Sequence, residues 1–288
     1  MVIANVIGGA GRMGNWFARF LKANGYTVIL TDKDGQTAKT LSKRYGFQFV
    51  SNQLEAASKA QVIILATPTK VTSAVLQQIA PAIKPTTLIV EISSIKRPIV
   101  GTIRKLQKKG IAILSIHPMF GSGTTTIKGR RILVVTRPQN YEARRILSIF
   151  RMNGAGIIRC TLKKHDALAS TILTLPHFIN ISLIETLRSL GVKLNEISLV
   201  AGSTFQLQLL LAEAIYNEDY DNEVSILGDC KTTAIEEYKR QAEAVFKMVN
   251  MPRSLERLLR SGRRFVEAHE QFATSYRRFN AAVQASLP

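Results

Sequence analysis

The first 32 residues constrain what this chain can fold into more than any other stretch. An apolar run at residues 2–7 leads into Gly9-x-Gly11-x-x-Gly14, and a second apolar run ends at Asp32, 18 residues after Gly14. Glycines at this spacing allow a tight turn, a close approach of backbone to a diphosphate, and close packing of a helix on a strand. An acid about 20 residues further on suits the hydroxyls of an adenosine ribose. We therefore predict a strand–turn–helix–strand unit that binds a dinucleotide.

The predicted helix begins within the glycine motif, so its free amide groups face the diphosphate. Asp32 favours NAD over NADP because a carboxylate repels a 2′-phosphate, whereas the adjacent Lys33 keeps NADP possible. The residues expected to contact this cofactor at the first turn are Gly9, Gly11, Arg12, Met13, Gly14 and Asp32.

Strand-like and helix-like runs alternate as far as Cys160, whereas from Lys163 onward the apolar pattern is only helical. The first part predicts a doubly wound α/β domain of the Rossmann type over residues 1–161. The second part predicts an all-α domain over 162–288, with helices at about 163–190 (kinked at Pro176), 195–217, 222–249 and after Pro252. Helices this long and apolar should pack against a second copy, so we expect a homodimer.

Composition narrows the class of protein. A hydrophobic content of 46% supplies a core, and no run of 18 apolar residues is present, so no membrane span is expected. The two cysteines, Cys160 and Cys230, fit neither a disulfide framework nor a metal site, which favours the reducing cytoplasm.

The net charge of +19 lies in the first half of the chain. Residues 1–160 hold 24 Lys and Arg against 5 Asp and Glu, whereas residues 161–288 hold 15 of each. Such a field attracts polyanionic ligands, although a solvated basic surface without a ligand explains the excess equally well.

Polar side chains follow three predicted strands where each strand ends. Thr67 and Pro68 follow the fourth strand, Ser94 and Lys96 the fifth, and His117 the sixth. Open α/β sheets bind ligands beyond these carboxyl ends. Thr67 and Pro68 are expected near the ribose and nicotinamide, or else form an ordinary turn. His117 suits proton transfer near neutral pH, and Ser94 comes from the neighbouring strand end, so the two side chains are predicted to meet over the nicotinamide.

The remaining ionisable candidates are Lys96 and the three other histidines. Lys96 either pairs with a substrate carboxylate or is exposed at a helix start. His165 and His177 lie 12 residues apart on one predicted helix, about 18 Å along its axis, so they share no metal. The kink at Pro176 can aim His177 towards a substrate. His269 is expected at the surface, and no metal site is predicted.

The chain resembles prephenate dehydrogenases, the archaeal members in particular. The motifs that carry the resemblance are Gly8-Gly9-x-Gly11-x-Met13-Gly14 followed by Asn15–Leu21, Ser93-Ser94-Ile95-Lys96, His117-Pro118-Met119-Phe120-Gly121, Lys164-His165-Asp166 and Leu175-Pro176-His177. The resemblance implies NAD(P)-dependent oxidative decarboxylation of prephenate to 4-hydroxyphenylpyruvate in tyrosine biosynthesis. It also implies that His117 deprotonates the ring hydroxyl, that Ser94 hydrogen-bonds it, and that His177 lines the substrate pocket.

The sequence departs from this family at one position. Family members usually carry a substrate-binding arginine on the helix that here spans Phe205–Tyr216, and this stretch has no Arg or Lys. A buried dianion without a cation is costly. Either Arg130, Arg131, Lys96 or a partner chain supplies the charge, or the substrate is arogenate, whose amino group changes the demand.

Two other functions compete with this interpretation. Hydroxyacid dehydrogenases and imine reductases share this architecture and usually place a catalytic lysine at the first long helix of the second domain, where Lys163 and Lys164 lie. A dinucleotide-sensing regulator that binds nucleic acid would suit the basic first half. We rank nucleic-acid binding last because no helix-turn-helix or aromatic-interleaved basic strand is visible.

Overall fold

The computed structural model describes residues 2–218, 220–229 and 232–286. Backbone contacts divide the chain into two compact units. The first unit runs to Ala169 and includes a short segment that begins at Val224. The second unit runs from Ser170 to Glu223 and includes the rest of the chain. Cys160 in the first unit is a free thiol, whereas Cys230 lies outside the described residues.

The described residues of the first unit form an eight-stranded sheet in the order β3-β2-β1-β4-β5-β6-β7-β8. All neighbours pair in parallel except β6 and β7, which are antiparallel. This mostly parallel sheet confirms the predicted Rossmann-type fold. The strands are β1 Ile3–Ile7, β2 Thr27–Thr31, β3 Gln48–Phe49, β4 Val62–Leu65, β5 Leu88–Glu91, β6 Ala112–Pro118, β7 Arg131–Val134 and β8 Gly156–Arg159.

Helices cover both faces of this sheet, so successive strand residues enter different cores. Val6 belongs to the core that contains Trp16 and Phe150, whereas Ile7 belongs to the core that contains Leu76 and others. The helices are α1 Arg12–Ala23, α2 Gly35–Tyr45, α3 Gln53–Lys59, α4 Thr69–Ile79 with a 3₁₀ turn Ala80–Ala82, α5 Val100–Lys108, α6 Tyr141–Met152 and α7 Leu162–Ala169.

Capping residues set the ends of the helices α2 and α3. The side chain of Asp34 accepts the amide hydrogen of Thr37 at the start of α2, and Gly46 ends this helix with a φ of 66°. The short helix α3 was not predicted. The Asn52 side chain caps it by accepting from the amides of Leu54 and Glu55.

The strand β6 is longer than predicted. The expected strand ended at Ile116, but pairing continues through His117 and Pro118, opposite Leu133 and Ile132 of β7. His117 therefore lies within a paired strand, which fixes its backbone more firmly than a loop would.

One continuous helical segment joins the two units. It consists of α7, a π-helical turn Ser170–Thr174 and α8 Leu175–Ser189, and the π turn directly precedes Pro176. The kink predicted at Pro176 thus coincides with a change of helix type, since the π turn accommodates a proline that cannot donate a helical hydrogen bond.

By length and composition, this segment from Leu162 to Ser189 is the one described helix that could cross a membrane. The expectation from the sequence was that no such segment exists. His165 near its start is fully buried, and the segment's first turns pack within the first unit. Of the segment's 18-residue apolar window, 22% is buried in the protein, and Lys163, Lys164 and Ala167 beside His165 are exposed.

The described part of the second unit is helical, which confirms the predicted all-α half. Two predicted helices are each interrupted: the one at 195–217 breaks before Gly202, and the one at 222–249 ends first at Gly228. The remaining helices are α9 Leu194–Ser198, α10 Ser203–Tyr216, α11 Tyr220–Gly228, α12 Thr233–Met248, α13 Pro252–Glu267, a 3₁₀ turn Phe272–Thr274 and α14 Ser275–Ser286.

Candidate active site

The glycine loop between β1 and α1 has little room for side chains. Gly8 adopts a φ of +83°, and a Cβ there would lie 2.4 Å from the carbonyl oxygen of Ala66. A Cβ on Gly14 would lie 2.0 Å from the carbonyl oxygen of Gly8. The tight turn expected at the first glycine of the motif, Gly9, involves its neighbour Gly8, which has the left-handed φ, whereas Gly14 provides the predicted close packing of helix on strand.

Gly11 differs from the other glycines of the loop. A Cβ there would meet only the Gly8 carbonyl oxygen, at 3.3 Å, so the fold itself demands less of this position. In the described chain, Gly11 begins α1 without a side-chain cap, and no acidic residue occupies the first turn. Arg12 is exposed and Met13 is half-buried beside it. This opening therefore fits an anion at the helix start.

Asp32 lies beside the same loop at the end of β2. One carboxylate oxygen accepts the Ala10 amide at 2.8 Å, and the other accepts the Asp34 amide at 2.9 Å. Each carboxylate oxygen can accept a further hydrogen bond. The glycine cradle and this carboxylate together fit the diphosphate and ribose of a dinucleotide.

Thr67 and Pro68 lie where β4 gives way to α4. Pro68 is the residue that precedes the helix, and the Thr67 hydroxyl shares a 2.9 Å hydrogen bond with that of Thr72. The close approach of Gly8 to Ala66 brings this turn against the glycine loop. The turn thus lies next to the candidate cofactor site, although its contact with a cofactor stays a prediction.

His117 is the buried centre of the site, with 5% of its surface exposed. Its Nδ1 lies 3.0 Å from Nε2 of His165. Burial lowers the pKa of His117 well below its ordinary value near 6.5, and the positive charge of Lys96 lowers it further. Both effects favour the neutral form of the His117 ring.

A third side chain sets the direction of this hydrogen-bond chain. Nδ1 of His165 lies 3.0 Å from a carboxylate oxygen of Asp166, and an ionised carboxylate only accepts. Nδ1 of His165 therefore carries a proton, and its Nε2 in the neutral ring accepts one from Nδ1 of His117. This assignment from the network leaves Nε2 of His117 unprotonated, which is the state that a general base requires.

The sequence analysis missed the role of His165. It placed this histidine on a helix and compared it with His177, whereas its partner is His117, 48 residues earlier. The Lys164-His165-Asp166 motif was the available signal, but helical periodicity cannot identify a partner on a distant strand.

Ser94 follows β5, which pairs directly with β6. The expected neighbouring strand ends are therefore present, and Ser94 is half-buried. The described residues show no hydrogen bond between Ser94 and His117, so their meeting over a nicotinamide stays a prediction.

Lys96 has a position that neither expectation foresaw. Only 1% of its surface is exposed, and its Nζ lies 2.8 Å from a carboxylate oxygen of Glu91 and 2.6 Å from the carbonyl oxygen of Ile116. Burial lowers the pKa of Lys96, which the charge of Glu91 opposes. The expectation of an exposed lysine was wrong, and the ammonium already has an anionic partner inside the protein.

The loop after His117 is attached to the start of α1. The indole nitrogen of Trp16 donates to the carbonyl oxygen of Thr124 at 2.7 Å, and the Trp16 ring lies 5.0 Å from that of Phe120. This contact connects the His117 strand to the helix that begins at the glycine loop.

Comparison with known families now identifies the chain. Residues 17–135 match the nucleotide-binding domain of prephenate dehydrogenase, and residues 161–261 match its dimerization domain. The chain belongs to the prephenate dehydrogenase family. Its predicted nucleotide-binding first half is thereby confirmed.

Individual relatives agree with this assignment. A probable arogenate/prephenate dehydrogenase of Methanocaldococcus jannaschii is 31% identical over 75% of this chain and 49% of its own length. The T-protein of Haemophilus influenzae is 24% identical over 78% of this chain and 55% of its own. The chain thus spans about half the length of these curated relatives.

A solved structure shares the fold. Prephenate dehydrogenase from A. aeolicus, in complex with hydroxyphenyl propionate and NAD+, superposes with a TM-score of 0.69 at 14% identity, covering 91% of this chain and 96% of that one.

The substrate-binding arginine that is usual in this family is absent from α10, because Ser203–Tyr216 contains no Arg or Lys. Of the three candidates to replace it, Lys96 is paired with Glu91. Arg131 is exposed. Its guanidinium donates to the carbonyl oxygen of Gly129 and lies close to Gly156 of β8, the last strand of the sheet. Arg130 is exposed beside it, at the end of the sheet where β6 terminates.

His177, the remaining candidate, lies on α8 in the second unit. Its Nδ1 is hydrogen-bonded to a carboxylate oxygen of Glu223, and both side chains are largely buried. The carboxylate fixes the ring orientation. The same unit contains a second polar contact, in which Gln208 donates to Asn180 at 2.7 Å.

Proposed function

We propose that this protein catalyses the NAD-dependent oxidative decarboxylation of prephenate to 4-hydroxyphenylpyruvate, a step of tyrosine biosynthesis. The observation that carries the proposal is the buried, neutral His117, which is bonded through Nδ1 to His165 and therefore presents an unprotonated Nε2. Membership of the prephenate dehydrogenase family supports the reaction class.

NAD is the proposed cofactor, with NADP as the alternative. Gly9, Gly11 and Gly14, with the amides at the start of α1, would hold its diphosphate, and Asp32 would hold the adenosine ribose. The Asp32 carboxylate disfavours a 2′-phosphate. When bound, NAD supplies the hydride acceptor for the oxidation.

His117 then has a defined part in the reaction. Its Nε2 accepts the proton of the ring hydroxyl as that oxygen becomes a carbonyl, while Nδ1 keeps its proton and its hydrogen bond to His165. The imidazolium that forms is stabilised through His165 by the Asp166 carboxylate. Ser94 is proposed to hold the same hydroxyl. When the ring carboxylate leaves as carbon dioxide, the electrons of the broken bond make the ring aromatic, and the oxygen takes the proton back from His117 to give the phenol.

Arogenate is the second candidate substrate, and the missing cation on α10 favours it. Its amino group replaces the keto group of prephenate and adds a positive charge to the ligand, so the protein has less negative charge to balance. If prephenate is used, the remaining basic candidates are the exposed Arg130 and Arg131, or a residue of a partner chain. His177 is proposed to contact the substrate, as the family resemblance implies.

The proposed assembly is a homodimer in the cytoplasm. The match of residues 161–261 to a dimerization domain supports the dimer, as do large exposed apolar side chains on α12 and α13, including Phe246 and Phe265. Light scattering at several protein concentrations tests the assembly.

The decisive test is spectroscopic detection of NADH when purified protein meets NAD with prephenate or with arogenate. We expect turnover with at least one acid, and the ratio of kcat/KM values identifies the preferred one. His117→Asn, which keeps a polar side chain but removes the base, should abolish turnover. A folded wild-type protein that oxidises neither acid with NAD or NADP would refute the proposal.

A further inference from the structure

The ion pair between Glu91 and Lys96 is buried where two strands end. Glu91 is the last residue of β5 and is fully buried, and Lys96 is 1% exposed. A buried ion pair is weak evidence for stability, because apolar residues of similar volume often stabilise a core equally well or better. The pair therefore requires another explanation.

Each member of the ion pair is hydrogen-bonded to the backbone of a residue that directly precedes a proposed catalytic residue. One carboxylate oxygen of Glu91 accepts the amide hydrogen of Ser93, which directly precedes Ser94. The ammonium of Lys96 donates to the carbonyl oxygen of Ile116 at 2.6 Å, and Ile116 directly precedes His117.

Two further hydrogen bonds complete the network. The second carboxylate oxygen of Glu91 accepts from Lys96 at 2.8 Å and from the Ser115 hydroxyl at 2.7 Å. Glu91 and Ser115 are register partners in the pairing of β5 with β6. Glu91 is thus bonded to β6 through Ser115, and Lys96 is bonded to β6 through Ile116. Both members of the ion pair therefore connect the end of β5 to β6.

We propose that the Glu91–Lys96 ion pair is a positioning pair that fixes Ser94 and His117 relative to each other. This inference rests on the proposed function, in which His117 is the base and Ser94 holds the substrate hydroxyl. Neither member of the pair needs to touch the substrate, because each acts through the residue that precedes a reacting side chain.

The pair also sets the electrostatic environment of His117. The ionisable groups that face this ring are the Lys96 ammonium and the His165 imidazole. Glu91 is paired with the ammonium, and Asp166 is hydrogen-bonded to the second imidazole. The positive charge of Lys96 opposes protonation of His117. Removing that charge should raise the pKa of His117 towards its ordinary value.

Lys96→Met is the first test variant, and Lys59→Met is its matched control. Lys59 pairs with Glu55 at 2.6 Å in the same unit, but both side chains are half exposed. Because a displacement of about 1 Å at a reacting group can cost about 100-fold in rate, we expect kcat of Lys96→Met to fall by at least about 30-fold. The KM for NAD should stay near the wild-type value, and Lys59→Met should match wild type throughout.

A double variant distinguishes a loss of positioning from misfolding caused by an unpaired buried charge. Lys96→Met alone leaves Glu91 buried without a counter-ion, whereas Glu91→Gln with Lys96→Met removes both charges together. Circular dichroism checks that each variant is folded. The expected result for the double variant is a folded protein with the same fall in kcat.

NMR titration of the His117 ring, assigned with His117→Asn, provides a readout that does not depend on turnover. We expect a raised pKa in both Lys96 variants and no change in Lys59→Met. A folded variant without the ion pair that keeps kcat within about three-fold of wild type, or that leaves the His117 titration unchanged, would overturn the inference. If wild type turns over neither acid, the proposed function fails, and the titration alone still decides whether the pair acts on His117.

Discussion

The hydrogen bond from His117 to His165 should contribute to the rate rather than to substrate binding, and His165→Phe tests this. Phenylalanine keeps a ring in the fully buried position and removes the acceptor that lies 3.0 Å from Nδ1 of His117. In the ground state the loss leaves one neutral N–H without a partner. In the transition state it leaves an N–H of a developing imidazolium without a partner, and charge-assisted hydrogen bonds are about twice as strong as neutral ones.

Only the difference between these two losses affects kcat. A neutral bond contributes about 0.5–1.5 kcal/mol and a bond to a charged group about 1.5–3 kcal/mol, so the difference is about 1–2 kcal/mol. At about 1.4 kcal/mol per tenfold, kcat should fall by about 5- to 30-fold. His165→Gln, which can again offer an acceptor, should recover part of the loss.

The assay is steady-state NADH formation with whichever acid the wild type oxidises. The exposed His269 provides the control, since His269→Phe changes the same residue type far from any buried hydrogen bond. The KM for the acid should be similar in all variants. A folded His165→Phe protein with wild-type kcat would refute the assignment of His165 as the orienting partner of His117.

Three further predictions concern the cofactor loop and pH. Gly14→Ala should unfold or strongly destabilise the protein in thermal melts because its Cβ would lie 2.0 Å from a carbonyl oxygen, whereas Gly11→Ala, at 3.3 Å, should fold and bind NAD more weakly by calorimetry. Asp32→Asn should raise the Kd for NAD by about tenfold and reduce the preference for NAD over NADP, because the charge that repels a 2′-phosphate is gone. A variant with the same ratio of Kd values for the two cofactors as wild type would contradict the role of Asp32. Because the folded state lowers the pKa of His117, the unfolded chain binds more protons below about pH 6.5, so the free energy of unfolding should fall as pH drops below that value and fall less in His117→Asn. Urea titrations at several pH values measure this, and identical pH slopes in the two proteins would exclude the effect.

Local rules predicted the parts of the fold that depend on neighbouring residues. The helix α2 begins and ends where Asp34 and Gly46 indicate, because a cap and a left-handed glycine act within one turn of the chain. The alternation of strand-like and helix-like runs predicted the sheet, because each run is also defined by residues close together in the chain. The break before Gly202 and the π turn before Pro176 were missed, because the apolar pattern continues through both.

The candidate site was predictable only in part, and the reason is the distance along the chain between partners. The sequence placed His117 and Ser94 at adjacent strand ends, since that follows from strand order. It did not assign His165 to His117 or Lys96 to the carbonyl oxygen of Ile116, because 48 and 20 residues separate these partners. Charge alone also favoured exposure of Lys96, and only the burial of Glu91 beside it reverses that expectation.

The burial of these polar groups is itself an argument for function. A sheet that needed only stability could fill the ends of β5 and β6 with aliphatic residues, as it does at Ile89, Val90 and Leu114. Instead, an ion pair and two imidazoles occupy the interior at the edge where sheets of this kind bind ligands. Residues that break the local rules of core packing tend to cluster where a protein does chemistry. The concentration of such residues around His117 supports its proposed role as the base, and the lack of Arg and Lys in α10 favours the proposal that the substrate carboxylate is recognised differently.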